Sequence, residues 1–454
     1  MGFAALKLDM EKAFDKVEWP FVLAIFKHFG FSDKWINLIN ECISIPTFSI
    51  FINGSLEGHF KSHRGFRQGG SISPFLFIMV IDVLSRPILQ KEVEGLLNGI
   101  KIARNCSTIS HLMFADDLVV FSHASHSDLE AIQDCLNQFH DWSGLSINHQ
   151  KSTISFSSNV PQSSRNAFCN HIGLKPSDPQ AFYLRLPLYI KCGQVSSFST
   201  IIEKINNRVY GWKAKVLSQA GQAMLIKLVF SSIPTYWMSS FQLPKFKCHR
   251  IDAKLRDFFW GFLDSKHHLY PKAWNSLCMP KFIGGLSFRR AFDLNKALIS
   301  KLGWSICMKS NKPWVKLLRA KYLRGRNLLT ATAKSNASSI WKGIINSIPL
   351  LRKGFCFHIN SSSSVNIWHD LWIPSLQGFI PSTPLVPPAQ HLVAELLILG
   401  THIWNKDLLL CLFDLPTVNH SQQIHLIASL AEDTAFWACN PSGDFTIKSA
   451  LLTD

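Results

Sequence analysis

Phe114-Ala115-Asp116-Asp117 sits between two apolar runs, residues 109–114 and 118–121. That pattern predicts a tight β-hairpin with two adjacent carboxylates at its turn. Far upstream, Phe3-Ala4-Ala5-Leu6-Lys7-Leu8-Asp9 predicts a buried strand ending in an acid. A buried strand tolerates a carboxylate when something compensates its charge, and a divalent cation does so. Three acids at neighbouring strand tips suit two magnesium ions and an in-line attack on phosphate. An Asp-Asp pair is also ordinary turn chemistry, because short acids bond their own backbone there. The residues between the acids decide.

Composition narrows the classes. The chain has 454 residues, 47% of them hydrophobic, which excludes wholesale disorder and leaves room for roughly two to four domains. Lys plus Arg number 47 against 30 for Asp plus Glu, a formal charge of +17. Such an excess favours polyanionic partners, nucleic acid before membrane, though solubility alone accounts for it too. The 11 cysteines are scattered without a Cys-x-x-Cys, which excludes a zinc ribbon and a disulfide framework and suits free thiols in a reducing compartment. His267-His268, without cysteines or acids at ligand spacing, reads as surface. The longest apolar run, residues 75–80, is broken by Asp82 and is too short to cross a bilayer. With Met1-Gly2-Phe3 leading straight into the first strand, the expectation is a soluble, intracellular protein without a membrane partner.

Local signals place the elements. Pro20 and Gly30 bracket one helix, and Ser32 caps another through about Cys42 with Trp35, Ile36, Leu38 and Ile39 as its apolar positions. Asn53-Gly54 between residues 47–52 and 55–60 predicts a hairpin. Residues 64–70 form a polar, glycine-rich loop before a helix that Ser73 caps and Pro74 opens. Ser127-x-x-Glu130 reads as a capping box for a helix with Leu129, Ile132, Leu136 and Phe139 on one face and Gly144 at its end. From about Glu203 the pattern turns helical and basic, with Lys204, Arg208, Lys213, Lys215 and Lys227 interleaved with Tyr210, Trp212, Leu217 and Leu225. This suits a backbone-tracking groove, and equally an amphipathic helix pair with solvated lysines. Lys316, Arg319, Lys321 and Arg324 mark a second basic helix. A serine run at 361–364 and a proline-rich stretch at 374–388 suggest a boundary.

Five blocks occur in one order: Leu6-Lys7-Leu8-Asp9-Met10-Glu11-Lys12-Ala13-Phe14-Asp15-Lys16-Val17-Glu18-Trp19, Arg64-Gly65-Phe66-Arg67-Gln68-Gly69, Ser73-Pro74, Phe114-Ala115-Asp116-Asp117, and Gly144-Leu145-Ser146-Ile147-Asn148-His149-Gln150-Lys151-Ser152. In order and spacing they resemble the palm of reverse transcriptases of plant LINE-type non-LTR retrotransposons. The resemblance implies an α+β fold. Its parts are a palm of antiparallel sheet with packed helices (1–190), a helical thumb and connection (191–310), a basic helical region (311–360) and a mixed C-terminal region (361–454).

It also implies an RNA-directed DNA polymerase that works on an RNA template, a DNA primer and deoxynucleoside triphosphates, in an intracellular, nuclear setting. Asp9, Asp116 and Asp117 are the implied ligands of two Mg2+ ions, Asp117 as the accessory one. Lys151 falls where the family places a lysine that protonates the leaving pyrophosphate. Phe14 falls where a bulky ring meets the sugar 2′ position, and Arg67, Gln68 and Gly69 fall in the nucleotide pocket. Phe182-Tyr183-Leu184-Arg185-Leu186-Pro187-Leu188 resembles the primer-gripping hairpin, with Arg185 where the family has glycine. If that position needs a positive φ, arginine strains the turn by about 1 to 3 kcal/mol. Gly70-Ser71-Ile72 replaces the family's Asp-Pro-Leu. The family's fingers and endonuclease are expected to lie outside this stretch, which makes a fragment that only binds nucleic acid the alternative. A more distant reading, a metal-dependent phosphohydrolase, rests on His111 alone.

Overall fold

The structure, a computed structural model, describes residues 2–104, 106–178, 181–187, 198–209, 217–262, 269–359, 365–382, 389–398, 401–426 and 433–453. Tyr210, Trp212, Lys213, Lys215, His267, His268, the serine run and Leu188 lie outside them. The chain divides into two compact units, Met1–Tyr189 and Ile190–Asp454.

In the first unit β1 (Phe3–Asp9) leads through α1 (Ala13–Lys16), α2 (Trp19–His28) and α3 (Asp33–Ser44) to a hairpin, β2 (Thr47–Ile52) and β3 (Ser55–Lys61). The long helix α4 (Ser73–Val93) follows, then the hairpin β4 (His111–Phe114) and β5 (Asp117–His123), and α5 (His126–Ser143). The unit closes with β6 (Thr153–Phe156), α6 (Gln162–Ile172), β7 (Lys175–Pro176), β8 (Phe182–Tyr183) and β9 (Leu186–Pro187). One five-stranded sheet runs in the order β4-β5-β1-β6-β7, and β1 is antiparallel to both its neighbours.

Alternation along β1 fixes the sheet's two faces. Ala4, Leu6 and Leu8 are buried and stand opposite Ser122, Val120 and Leu118 of β5. They share a core with Leu76, Phe77, Val80 and Leu84 of α4 and Leu129, Ile132 and Phe139 of α5. Each such buried leucine contributes about 1.5 to 3 kcal/mol. A one-residue slip would turn all of them to the open face, so the core locks the register. The same register leaves Lys7 and Asp9 on the open face, with Asp9 directly opposite Asp117.

Several local expectations need correction. Ser73 is the first residue of α4 rather than its cap, and its hydroxyl donates to the Arg67 carbonyl (2.8 Å). The box at the start of α5 is Ser125-x-x-Asp128: the Asp128 N–H donates to Ser125 Oγ, two residues before the expected cap. Asp128 is buried and accepts from the backbone N–H groups of Asn98 (2.8 Å) and His123 (3.2 Å), which fixes that start. On α3 the buried residues are Ile39 and Ile43, while Trp35 and Leu38 are exposed and the Ser32 side chain makes no cap. Among the described residues one helix, α4, is long and apolar enough to cross a membrane by length and composition. The sequence run of 75–80 hid this, because Asp82 and Arg86 on the helix are exposed and bridge each other. Its apolar side belongs to the core just described.

The second unit is mainly helical: α7 (Ser199–Val209), α8 (Gln219–Leu225), α9 (Ser232–Met238), α10 (Lys245–Phe259), α11 (Trp274–Cys278), α12 (Ala291–Cys307), α13 (Pro313–Leu318) and α14 (Ser339–Arg352). Then come β10 (Phe355–His358), α15 (Lys406–Leu412), α16 (Leu415–Gln422), β11 (Thr434–Trp437) and α17 (Ile447–Thr453). β10 pairs with β11, and one apolar cluster joins Ala297 to Ala450 across positions 310 and 360. Two buried polar side chains tie helices together inside it. The Asn295 amide accepts from the Leu243 N–H and donates to the carbonyls of Met238 and Phe241, all at 2.8 Å. Asp252 accepts from the Ala291 N–H (2.9 Å), and burial pushes its carboxyl up to about 6.

Candidate active site

The acids meet because three separated stretches are tied by backbone hydrogen bonds. β4 and β5 pair up to Phe114 opposite Asp117, which leaves a two-residue turn, Ala115-Asp116. Ala115 adopts φ 50°, a left-handed conformation that costs a non-glycine residue about 1 to 2 kcal/mol. Asp116 is exposed at this tip, and Asp117 is half-buried across from Asp9. The stretch 144–152 then docks on the end of β1. Glu11 N–H donates to the Ser146 carbonyl (2.9 Å), Asn148 N–H to the Asp9 carbonyl (2.8 Å), and Asp9 N–H to Ser152 Oγ (3.0 Å). Asn148 folds the chain back by accepting from the N–H groups of Gln150 and Lys151. The result is Lys151 Nζ 3.9 Å from the Asp9 carboxylate, with its side chain still 71% exposed and therefore able to move.

Charge on this face is under-compensated. Burial raises the Asp117 carboxyl above its ordinary range, and the charges of Asp116 and Asp9 add to that, while Lys7 works against it. Lys7 lies two residues before Asp9 on the same side of β1, and its Nζ donates to the Phe182 carbonyl (2.7 Å). Tyr183 is near enough that Asp117, after burial, raises its phenol. The β8–β9 hairpin thus sits beside the acids, and its turn residues Leu184 and Arg185 both have positive φ, 49° and 62°. Arginine therefore does occupy a left-handed position there, with the strain that implies.

The donor set is oxygen only, three carboxylates with residual mutual repulsion, and this fits a hard divalent cation such as Mg2+ or Mn2+. The carboxylates are neighbours rather than a closed ligand set. Among the described residues, the three-residue group whose ligand atoms all lie within 4.8 Å is His126, Glu130 and His171 instead.

The glycine-rich loop is tied to the segment after β1. Gly65 N–H donates to the Val17 carbonyl (2.7 Å), Phe66 N–H to the Phe14 carbonyl (2.6 Å), and Trp19 Nε1 to the Gly65 carbonyl (2.7 Å). Gly65 has φ +82°, and a Cβ there would lie 2.6 Å from the Asp15 carbonyl oxygen, so glycine is required. Arg67, Gln68 and Gly69 are exposed, and the Gln68 amide donates to the Asp15 carboxylate (3.0 Å). Phe14 is half-buried and stacks on Phe77 with ring centroids 4.8 Å apart. His111, the basis of the hydrolase reading, is engaged by hydroxyls: Nε2 lies 2.7 Å from Ser85 Oγ and Nδ1 3.1 Å from Ser110 Oγ.

Asn148, Ser152 and Lys7 lie inside the sequence blocks and take their roles only from the fold. Strand alternation was the available signal for Lys7, and the Asn-x-x-Lys-Ser turn chemistry for the other two. Of the basic residues, Lys204 and Arg208 are exposed on α7. Lys227 instead lies over the Phe288 ring (5.7 Å), and Arg319 donates to the Ile306 carbonyl at the end of α12 (2.9 Å).

The family model described as reverse transcriptase (RNA-dependent DNA polymerase) matches residues 4–184, from β1 to the turn of the β8–β9 hairpin. The chain is 34% identical to a putative ribonuclease H protein of Arabidopsis thaliana, over 41% of this chain and 31% of that protein. It is 29% identical to an uncharacterized mitochondrial protein of the same plant, over 34% of this chain and 98% of that one. It is 30% identical to a retrovirus-related Pol polyprotein from the type-1 retrotransposable element R2 of Popillia japonica, over 26% of this chain and 18% of that protein. The match to the first of these spans less than a third of that protein's length, and the match to the third less than a fifth. With its acids, glycine-rich loop and lysine in the matched segment, the chain is similar through residues 4–184 to reverse transcriptases, and over part of its length to the Pol polyprotein of a retrotransposable element.

Proposed function

We propose that the first unit is the palm of an RNA-directed DNA polymerase that extends a DNA primer on an RNA template with deoxynucleoside triphosphates. The observation that carries the reading is the register that sets Asp9 opposite Asp117, with Asp116 in the adjoining turn. Asp9, Asp116 and Asp117 would hold two Mg2+ ions, Asp117 as the accessory ligand. Bound there, the ions lower the pKa of the primer 3′-hydroxyl and neutralise the triphosphate. Lys151, mobile and beside Asp9, donates a proton to the leaving pyrophosphate. Phe14, fixed by Phe77, excludes a sugar 2′-hydroxyl by bulk. Gln68 exchanges its bond to Asp15 for the incoming nucleotide, with Arg67 on the phosphates and Gly69 letting the backbone approach.

The second unit would serve as thumb, connection and C-terminal region, its exposed Lys204 and Arg208 on the duplex phosphates. The Arabidopsis relatives support a plant source; a LINE-type element acting in the nucleus is proposed on the resemblance of the sequence blocks.

The test is primer extension by the full chain with Mg2+, beside Asp116→Ala. Extension abolished by the substitution supports a working palm. No extension by the unaltered chain, with salt-sensitive binding of primer–template retained, would replace it with a nucleic-acid-binding remnant.

A further inference from the structure

We propose that His126, Glu130 and His171 form a binding site for one transition-metal ion of the zinc class, separate from the catalytic acids. His126 and Glu130 are four residues apart in the first two turns of α5 and so share one face of it. His171 comes from the last turn of α6. His126 Nδ1 and Glu130 Oε1 are 3.5 Å apart, and the rings of His126 and His171 lie 4.6 Å apart at 71°. A tetrahedral zinc ion with bonds of about 2.1 Å holds its ligands about 3.4 Å apart. The first pair already meets that spacing. The third ligand atom, within 4.8 Å of the others, needs a rotamer adjustment that an exposed helix end permits.

The floor of the site is built. Phe168, one turn before His171 and buried, stacks on Phe156 (5.9 Å) and meets the edge of the His126 ring (6.4 Å). Two imidazoles with one carboxylate select zinc, nickel, cobalt or copper over magnesium, which prefers an all-oxygen shell. A cation at the first turn of a helix is opposed by the helix dipole, and the Glu130 carboxylate offsets that. The cluster lies beyond the end of β5 opposite the acids, about 20 Å of strand from Asp117. An ion there would clamp α6 to α5 and hold in place the segment that delivers β7.

The experiment titrates Zn2+, and Co2+ as a spectroscopic probe, into the full chain, its His126→Ala/His171→Ala double variant, Glu130→Gln and Asp116→Asn. The proposal expects one ion beyond any held by the catalytic acids, retained in Asp116→Asn, with a rise in melting temperature and a Co2+ spectrum free of thiolate charge-transfer bands. The histidine double variant and Glu130→Gln weaken binding by about tenfold or more, while Asp116→Asn leaves it unchanged. Absence of binding by the unaltered chain, thiolate bands, or equal affinity in the double variant would overturn it.

Discussion

The first unit contains two long hairpins built on the same local grammar, and only one carries chemistry. In β2–β3 the turn is Asn53-Gly54, both at positive φ, and nearly every residue is exposed, including Phe51 and Leu56. In β4–β5 the turn is Ala115-Asp116, a poorer turn sequence, yet β5 is buried through Leu118, Val119 and Val120 between β4 and β1. The first needs only its turn. The second is held in a strained turn by a core that fixes its register, and that register sets one acid opposite another. Turn chemistry makes a hairpin; long-range packing makes a site.

The sharpest way to break this comparison is chemical. Asp9→Asn and Asp116→Asn are each expected to lower primer extension by about a thousandfold or more with unchanged melting temperature, since neither side chain supports the core. Replacing Asn53-Gly54 by Ala-Ala puts two alanines at positive φ and is expected to cost about 2 kcal/mol within the β2–β3 hairpin, while primer extension loses far less than in the acid variants because the Asp9–Asp117 register does not depend on that turn.

A matched glycine pair sharpens it. Gly65 and Gly54 both have positive φ, but a Cβ meets the Asp15 backbone at the first and open space at the second. Gly65→Ala is therefore expected to cost about 2 kcal/mol or more by chemical denaturation, and Gly54→Ala about 1 kcal/mol, felt within its hairpin. Ser152→Ala leaves the Asp9 N–H without its partner and is expected to cost about 1 to 2 kcal/mol. It should also loosen Lys151, visible as lost extension at constant primer–template affinity.

The smallest effect is a pH dependence. The folded-state carboxyl of Asp117 titrates above its unfolded value. Its contribution to stability is therefore fully present below the unfolded value and is lost as pH rises through the folded one. Asp117→Asn removes that loss, so the variant should melt above the unaltered chain at neutral pH and converge with it below about pH 4. Added Mg2+ should narrow the difference, because it compensates the same charge.

The acid-bearing strand and its hairpin were legible in the sequence because alternation, an apolar run and a turn signal coincided at residues 3–9 and 109–121. So was the glycine-rich loop, whose Gly65 has a steric reason to be glycine. Helix starts were less legible. Ser127 and Ser73 each look like caps, but Asp128 is drawn to Asn98 and Ser73 to Arg67, contacts that no local pattern reports. The His126–Glu130–His171 cluster was invisible for a plainer reason: its third member lies 41 positions after Glu130, and only the packing of α6 against α5 brings it back.

The most direct test of the acid-bearing hairpin's role is primer extension by Asp9→Asn, Asp116→Asn and Asp117→Asn side by side, each with a melting curve. Asp9→Asn and Asp116→Asn abolishing extension, with Asp117→Asn reducing it and all three folded, is the expected result. Extension that survives Asp9→Asn or Asp116→Asn would contradict the site.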